Sequence, residues 1–191
     1  AVAMVALHRY ADAGGKLDSL ARSAATSLDR AELYDQAGNA WLLARKADNA
    51  QTSFTAAITF KPRDADMYLD RARAFALKPD WISADNDLTA ALAIAPSRTD
   101  ILVLRASARH ALGKKAQARA DIDQALKLNP TNAEALEMRG DFKMEAGDQA
   151  GAKADWQAVV AQSPRSGAAA TARDRLNLLN QPAPAKPAAK P

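Results

Sequence analysis

The stretch AELYDQAGNAWLLARKADNAQTSFTAAITFKPRD at residues 31–64 is followed by ADMYLDRARAFALKPDWISADNDLTAALAIAPSR at residues 65–98, and the two align without a gap. Residues 99–132 and 133–164 continue the same register. We call these stretches repeats 1 to 4. Prolines mark the period most visibly, because they stand 34 residues apart, at Pro62, Pro96, Pro130 and Pro164. Such a period predicts an array of stacked repeats.

Three columns of residues keep the same spacing. Gly or Ala occupies the first column, Ala the second and a large apolar residue the third. Their members are Gly38, Ala72, Ala106 and Gly140, then Ala50, Ala84, Ala118 and Ala152, then Phe54, Leu88, Ile122 and Trp156. Two helix axes approach closely only where small side chains meet, and a large residue then fills the groove beside that contact. Each repeat is therefore predicted to be two packed helices.

Helix boundaries follow from glycine and proline. In repeat 1 we expect helices over residues 31–44 and 48–60. Gly113 and Gly147 mark the turn between the helices of repeats 3 and 4, and residues 78–80 (Lys-Pro-Asp) mark it in repeat 2. Each repeat proline ends its repeat, because proline cannot continue a helix and disfavours helical geometry in the residue before it. Alanine, 48 of the 191 residues, also favours helix.

This pattern resembles the tetratricopeptide repeat, which combines aromatic, Gly, Ala and Pro positions at fixed offsets. Repeat 1 matches it with Tyr34, Gly38, Trp41, Ala50, Phe54 and Pro62, and repeat 2 with Tyr68, Ala72, Phe75, Ala84, Leu88 and Pro96. Repeats 3 and 4 depart from it with Arg109 and Lys143 at an aromatic position. The resemblance covers residues 31–164. It implies an all-α, right-handed α-solenoid of helix–turn–helix units.

The two ends are expected to differ from the repeats. Residues 1–30 are predicted to form a degenerate helical pair with its turn at Gly14-Gly15 and an apolar face on its second helix, which includes Leu20 and Leu28. Residues 165–180 are predicted to form a C-terminal helix, N-capped by Ser166, that covers the last apolar face. The Pro/Ala/Lys tail QPAPAKPAAKP at residues 181–191 has no large apolar side chain with which to build a core and is expected to be disordered.

One departure from the family pattern is internally consistent. Three repeats carry an arginine in the first helix and an aspartate before the large apolar residue of the second, whereas repeat 1 has Ala37 and Ser53 there. The residues are Arg71 with Asp87, Arg105 with Asp121, and Arg139 with Asp155. We expect structural ion pairs, either between the two helices of a repeat or between neighbouring repeats. A row of ligand-binding arginines is the alternative interpretation.

The resemblance implies that the first helices line a concave groove, which takes peptides or partner segments. The residues predicted to face it are Asp35, Gln36, Asn39, Leu69, Asp70, Arg73, Val103, Ser107, His110, Glu137, Met138, Asp141, Met144 and Glu145. The family variant that clamps a C-terminal carboxylate uses a Lys, Asn and Arg set that these faces lack. The acids of repeat 4 and its two methionines favour a basic or amphipathic peptide. A merely solvated helix face is the alternative.

Composition argues against other function classes. Cysteine is absent and the two histidines, His8 and His110, are far apart, so we expect no disulfide, metal site or cofactor. Motifs of nucleophilic, phosphate-binding or zinc-dependent enzymes are missing, and we expect no enzyme activity. The net charge of +4 equals the charge of residues 165–191 alone, so residues 1–164 are neutral together and nucleic-acid binding is not expected.

The leading interpretation is a non-catalytic scaffold or adaptor that holds a protein or peptide partner in the groove. The alternative is an accessory module of a larger enzyme or cell-envelope assembly whose catalytic part lies outside this chain. The Ala-rich, cysteine-free composition with a Lys/Pro tail favours a bacterial, periplasmic or cell-envelope location over a cytoplasmic one.

Overall fold

The computed structural model describes residues 2–180, with side chains from residue 8 onwards. Over this range it contains ten α-helices and no strand, which confirms the all-α prediction. The helices are α1 (Val2–Ser23), α2 (Ser27–Leu43), α3 (Ala47–Phe60), α4 (Ala65–Ala76), α5 (Trp81–Ile94), α6 (Thr99–Ala111), α7 (Lys115–Leu128), α8 (Ala133–Glu145), α9 (Gln149–Gln162) and α10 (Gly167–Leu179). The tail predicted at residues 181–191 lies outside the described residues.

The helix ends agree with the positions of the repeat prolines. The second helix of each repeat stops two residues before its proline, at Phe60, Ile94, Leu128 and Gln162. Gly113 and Gly147 lie in the turns between the paired helices, as predicted, with φ of 73° and 84°. Positive φ favours glycine because it has no Cβ. Repeat 1 places Arg45 at the same position, with φ of 58°, so this arginine adopts a conformation that suits glycine better.

The chain divides into two compact units, an N-terminal unit (residues 1–125) and a C-terminal unit (residues 126–191). Within the N-terminal unit each helix from α1 to α5 packs on the next one, and α2 also contacts α4. Within the C-terminal unit α8 packs on α9, and α10 contacts both. The Ser166 side chain caps α10, as predicted, by accepting a hydrogen bond from the Ala169 amide.

Close approach between paired helices is visible at the small-residue column. A Cβ added to Gly38 would lie 2.5 Å from a ring carbon of Phe54, and one added to Gly140 would collide with the Trp156 ring. Phe54 and Trp156 are 0% and 1% exposed. The small and large columns therefore meet, and the large one forms the core.

The N-terminus differs from its prediction. Helix α1 continues through Gly14 and Gly15, so the predicted turn is wrong, and Ser27 already lies in α2. Gly14 instead lies directly against Trp41, since a Cβ at this position would come within 2.7 Å of the Trp41 ring. The predicted apolar face is wrong as well, because Leu20 and Leu28 are 55% and 56% exposed. Residues 2–23 thus form one long helix, with Trp41 of α2 packed against Gly14.

Candidate functional site

The repeated arginines bind the aspartate of their own repeat. Arg71 on α4 donates two hydrogen bonds of 2.7 Å to Asp87 on α5. Arg105 on α6 binds Asp121 on α7 in the same way, at 3.0 and 2.7 Å. Both aspartates are buried, and a two-pronged guanidinium–carboxylate contact fixes geometry as well as charge. The arginine and aspartate of one repeat thus pair with each other, between the two helices of that repeat.

The same arginines also reach the preceding repeat. Arg71 Nη1 lies 3.0 Å from the Thr55 hydroxyl oxygen on α3. Arg105 Nη1 lies 3.4 Å from the Thr89 hydroxyl oxygen on α5. Each guanidinium therefore contacts the second helices of two successive repeats. These groups are engaged in holding helices together and offer little to a ligand.

Arg109, a departure from the aromatic position, extends one of these pairs. It donates to Asp121 at 2.8 Å and to Asp85 at 2.9 Å, and Lys114 donates to Asp85 at 2.8 Å. The sequence pattern did not predict these contacts. The available signal was a cation, Arg109, at a position that is aromatic in repeats 1 and 2.

Asp155 in the C-terminal unit also has two cationic partners. Arg139 donates to it at 2.9 and 2.7 Å, and Lys143 Nζ lies 2.8 Å away. Burial alone would raise the pKa of Asp155, but the hydrogen bonds from Arg139 and Lys143 bring it below its ordinary value. The carboxylate is therefore ionised at neutral pH.

Repeat 1, which lacks the arginine and the aspartate, uses a residue of α1 instead. The hydroxyl of Ser53, 2% exposed, donates to Asp18 Oδ1 at 2.7 Å. The Trp41 indole donates to Asp18 Oδ2 at 2.8 Å. Asp18 thus ties α1 to both helices of repeat 1.

Burial divides the predicted groove residues of the N-terminal unit. Gln36 and Arg73 are exposed, whereas Leu69 and Val103 are 2% and 9% exposed. Contrary to prediction, Leu69 and Val103 therefore present almost no surface. Five further groove residues are half-buried, namely Asp35, Asn39, Asp70, Ser107 and His110.

An apolar cavity of about 200 Å³ opens among α4, α5 and α6. Its walls include Leu69, Trp81 and Leu104, and the predicted groove residues Arg73 and Ser107 also line it. This cavity is the place where three of the predicted groove residues come together. It is large enough for one large apolar side chain.

Negative charge concentrates beside Asp35. One of its oxygens, Oδ1, is buried without a hydrogen-bond partner. Burial, with the carboxylates of Asp70, Asp64 and Asp66 adding to it, raises the pKa of Asp35 to about 6, and Lys61 offsets only part of this. The nearest cations are engaged elsewhere, since Lys61 binds Asp64 at 2.7 Å. The site thus carries a carboxylate that a guest cation would stabilise.

The predicted acidic surface of repeat 4 lies in the C-terminal unit. Glu137, Met138 and Met144 are half-buried there, and Glu145 is exposed. Asp141 accepts two hydrogen bonds from Arg175 of α10, at 3.0 and 2.9 Å. Part of the predicted acidic surface is therefore neutralised from within the chain.

Comparison with known proteins identifies the repeat. The family model of the tetratricopeptide repeat matches residues 99–132, the bounds predicted for repeat 3. The chain has the tetratricopeptide repeat (TPR) fold. No curated protein matches the sequence.

Solved structures of TPR proteins are similar to the chain along most of its length. A thermophilic TPR protein from Thermus thermophilus has a TM-score of 0.63 at 17% identity, covering 90% of this chain and 100% of that one. The TPR domain of Arabidopsis OM64 has a TM-score of 0.60 at 27% identity, covering 63% and 99%. The second TPR domain of human RPAP3, in complex with the HSP70 peptide SGPTIEEVD, has a TM-score of 0.56 at 26% identity, covering 58% and 92%.

Two properties of the described part of the chain bear on its function. Residues 8–180 contain no group of three or more His, Asp or Glu side chains placed to hold a metal ion. None of the helices within residues 2–180 combines the length and apolarity that a membrane span requires. The described residues offer a partner helix surface, an apolar cavity among α4, α5 and α6 and a cluster of acidic residues around Asp35.

Proposed function

We propose that the protein is a non-catalytic scaffold that holds a peptide or partner segment against α2, α4 and α6 of its N-terminal unit. The observation that carries the proposal is the apolar cavity among α4, α5 and α6, because it is partly open and is lined by Arg73 and Ser107 of the predicted groove. An open apolar cavity beside a few polar groups is the usual form of a binding site. TPR folds are interaction modules, and the human RPAP3 domain holds a peptide.

The proposal also includes the predicted groove residues of repeat 4 as a partner-binding surface of the C-terminal unit, the division of residues 31–164 into four repeats and a capping role for α10. The repeated Arg–Asp pairs are proposed to be structural, since the guanidinium groups of Arg71 and Arg105 donate hydrogen bonds to side chains of neighbouring helices. Composition supports a place in the bacterial cell envelope.

The partner should differ from the acidic peptide bound by human RPAP3. That peptide, SGPTIEEVD, carries three carboxylate side chains. Here Asp35 and Asp70 lie on the predicted groove, and burial and neighbouring acids already raise the pKa of Asp35. An acidic guest would add to this repulsion, so the proposed partner is not acidic.

Site-specific photocrosslinking in cells tests the proposal. A photoreactive residue is placed at Gln36 or Arg73, both exposed on the predicted groove, and at Thr52 or Thr59 of α3 as controls, both exposed elsewhere. A partner crosslinked from Gln36 or Arg73 and absent at the controls, then shown to bind the purified protein directly, is the expected result. Equal crosslinking at all four positions, or none at the groove positions, would refute it.

A further inference from the structure

The apolar cavity among α4, α5 and α6 is shaped for one side chain. Leu69, Ala72, Trp81, Leu88, Leu104 and Ala108 supply most of its wall. Because the cavity is partly open, its apolar lining faces solvent, and an apolar guest would remove that lining from water. A cavity of about 200 Å³ exceeds the engineered cavity of about 150 Å³ that accepts benzene. A Leu, Ile, Met or Phe side chain therefore fits.

Charged residues beside this cavity determine which residue of the guest fits next to the bound apolar side chain. Asp70 follows the cavity residue Leu69 on α4 and acts electrostatically on Asp35 of α2. A second depression, of about 250 Å³, is lined by Glu32, Asp35, Gln36, Lys61, Asp64, Asp66 and Met67. Four of these seven residues are acidic and one is basic. The depression is therefore complementary to a cation.

The cations of this surface are already occupied. Lys61 binds Asp64 at 2.7 Å, Arg73 binds Asp70 at 2.5 Å, and Arg98 binds Asp66 at 2.9 Å. Asp35 differs from these acids, because its Oδ1 is buried and accepts no hydrogen bond. A positive charge from a guest would add to the effect of Lys61, which offsets only part of the negative charge around Asp35.

We infer that the partner is a cationic amphipathic segment, which seats one large apolar side chain in the cavity and places a Lys or Arg side chain beside Asp35 and Asp70. This inference rests on the proposed function and adds the chemistry of the partner. The apolar cavity fixes the position of the segment, and the acidic depression selects its charge.

The charge contact makes binding depend on pH. The pKa of Asp35 is about 6, raised from 3.8 by burial and by Asp70, Asp64 and Asp66, against Lys61; Glu32 lines the same depression. A guest cation returns this pKa towards 3.8, so the guest binds the ionised form best. Between pH 7.5 and pH 5.0 the affinity should then fall by up to about tenfold.

An array of short random-sequence peptides, probed with the purified full chain, tests the inference. Two variants remove one feature each: Ser107→Phe fills the cavity from a half-buried position, and Asp35→Asn removes the charge. The matched controls are Ala93→Phe and Asp123→Asn, on exposed positions of α5 and α7. Ala76→Leu, a second cavity-lining change, replaces Ser107→Phe if that variant melts early.

The expected result is enrichment of peptides that combine a large apolar residue with a nearby Lys or Arg. Their binding falls at least tenfold with Ser107→Phe, persists with both controls, and loses its pH dependence with Asp35→Asn. Bound peptides that are acidic, that lack a large apolar residue or that ignore both variants would overturn the inference and leave the proposed function standing. An array with no bound peptide would overturn both.

Discussion

Asp121 should be the most sensitive carboxylate of the N-terminal unit. It is 3% exposed and accepts three hydrogen bonds, at 3.0 and 2.7 Å from Arg105 and at 2.8 Å from Arg109. Its removal leaves two guanidinium groups with side chains only 14% and 16% exposed. Losing one partner of a buried pair costs about 3–5 kcal/mol. Because Arg109 keeps Asp85, we expect Asp121→Ala to cost about 3 kcal/mol.

A double-mutant cycle isolates the Arg105–Asp121 contact. The unfolding free energies of Asp121→Ala, Arg105→Ala and the double variant are measured by urea titration with far-UV circular dichroism. The double variant should be more stable than the sum of the single effects predicts, by about 1–2 kcal/mol. The control is Asp123→Ala, on the exposed side of the same helix, which should change stability by less than about 0.5 kcal/mol.

Additive single effects would refute the pairing. So would equal losses for Asp121→Ala and Asp123→Ala. Stacked repeats can unfold in more than one step, and a second probe, tryptophan fluorescence, is therefore followed in the same titration. Coincident curves establish that one unfolding free energy describes each variant.

Four further variants should change the free energy of unfolding, one lowering it and three raising it, all measured by urea titration. Gly38→Ala should destabilise the protein by about 1–2 kcal/mol, because the added Cβ would lie 2.5 Å from the Phe54 ring. Gly15→Ala should stabilise it by about 0.5–1 kcal/mol, because the added Cβ would lie 3.9 Å from the nearest ring atom and alanine favours helix. Equal effects of the two substitutions would contradict the packing account. Arg45→Gly should stabilise by about 1 kcal/mol through relief of a φ of 58°, and Arg45→Ala should not; a loss with Gly would show that no strain is stored there. Folding raises the pKa of Asp35 from 3.8 to about 6, so ionisation of this carboxyl opposes folding. Asp35→Asn should therefore stabilise the protein by about 1 kcal/mol at pH 8, a value that allows for solvent screening at this half-buried site. Below pH 4 the substitution should change the stability by nearly nothing. An effect that is the same at both pH values would rule out this origin.

Period and proline spacing were sufficient to predict the repeat helices. The 34-residue register placed the second helix of repeat 1 at residues 48–60, and the structure has it at Ala47–Phe60. This worked because proline and small-residue columns act locally, through backbone geometry and direct helix contact. The N-terminal glycines were misread, since Gly14 serves a contact with Trp41, 27 residues further along the chain. Glycine in a helix and glycine in a turn cannot be told apart without the partner helix.

The candidate site could be predicted only in outline. Sequence register identified the helix faces that carry Arg73 and Ser107, but it did not show that Leu69 and Val103 are buried. Nor did it show the engagement of Asp141 by Arg175, 34 residues later. Burial and ion pairing depend on which side chains of neighbouring helices meet. The residue types at equivalent repeat positions do not specify those contacts.

Backbone amide chemical shifts of the ¹⁵N-labelled protein, titrated with the tightest peptide from the array, test the central claim most directly. If the cavity and the acidic depression of the N-terminal unit hold the partner, the largest shift changes occur on α4 and α6 around Arg73 and Ser107 and on α2 near Asp35. Changes that concentrate on exposed positions of α3, such as Thr52 and Thr59, with these helices unaffected, would contradict it.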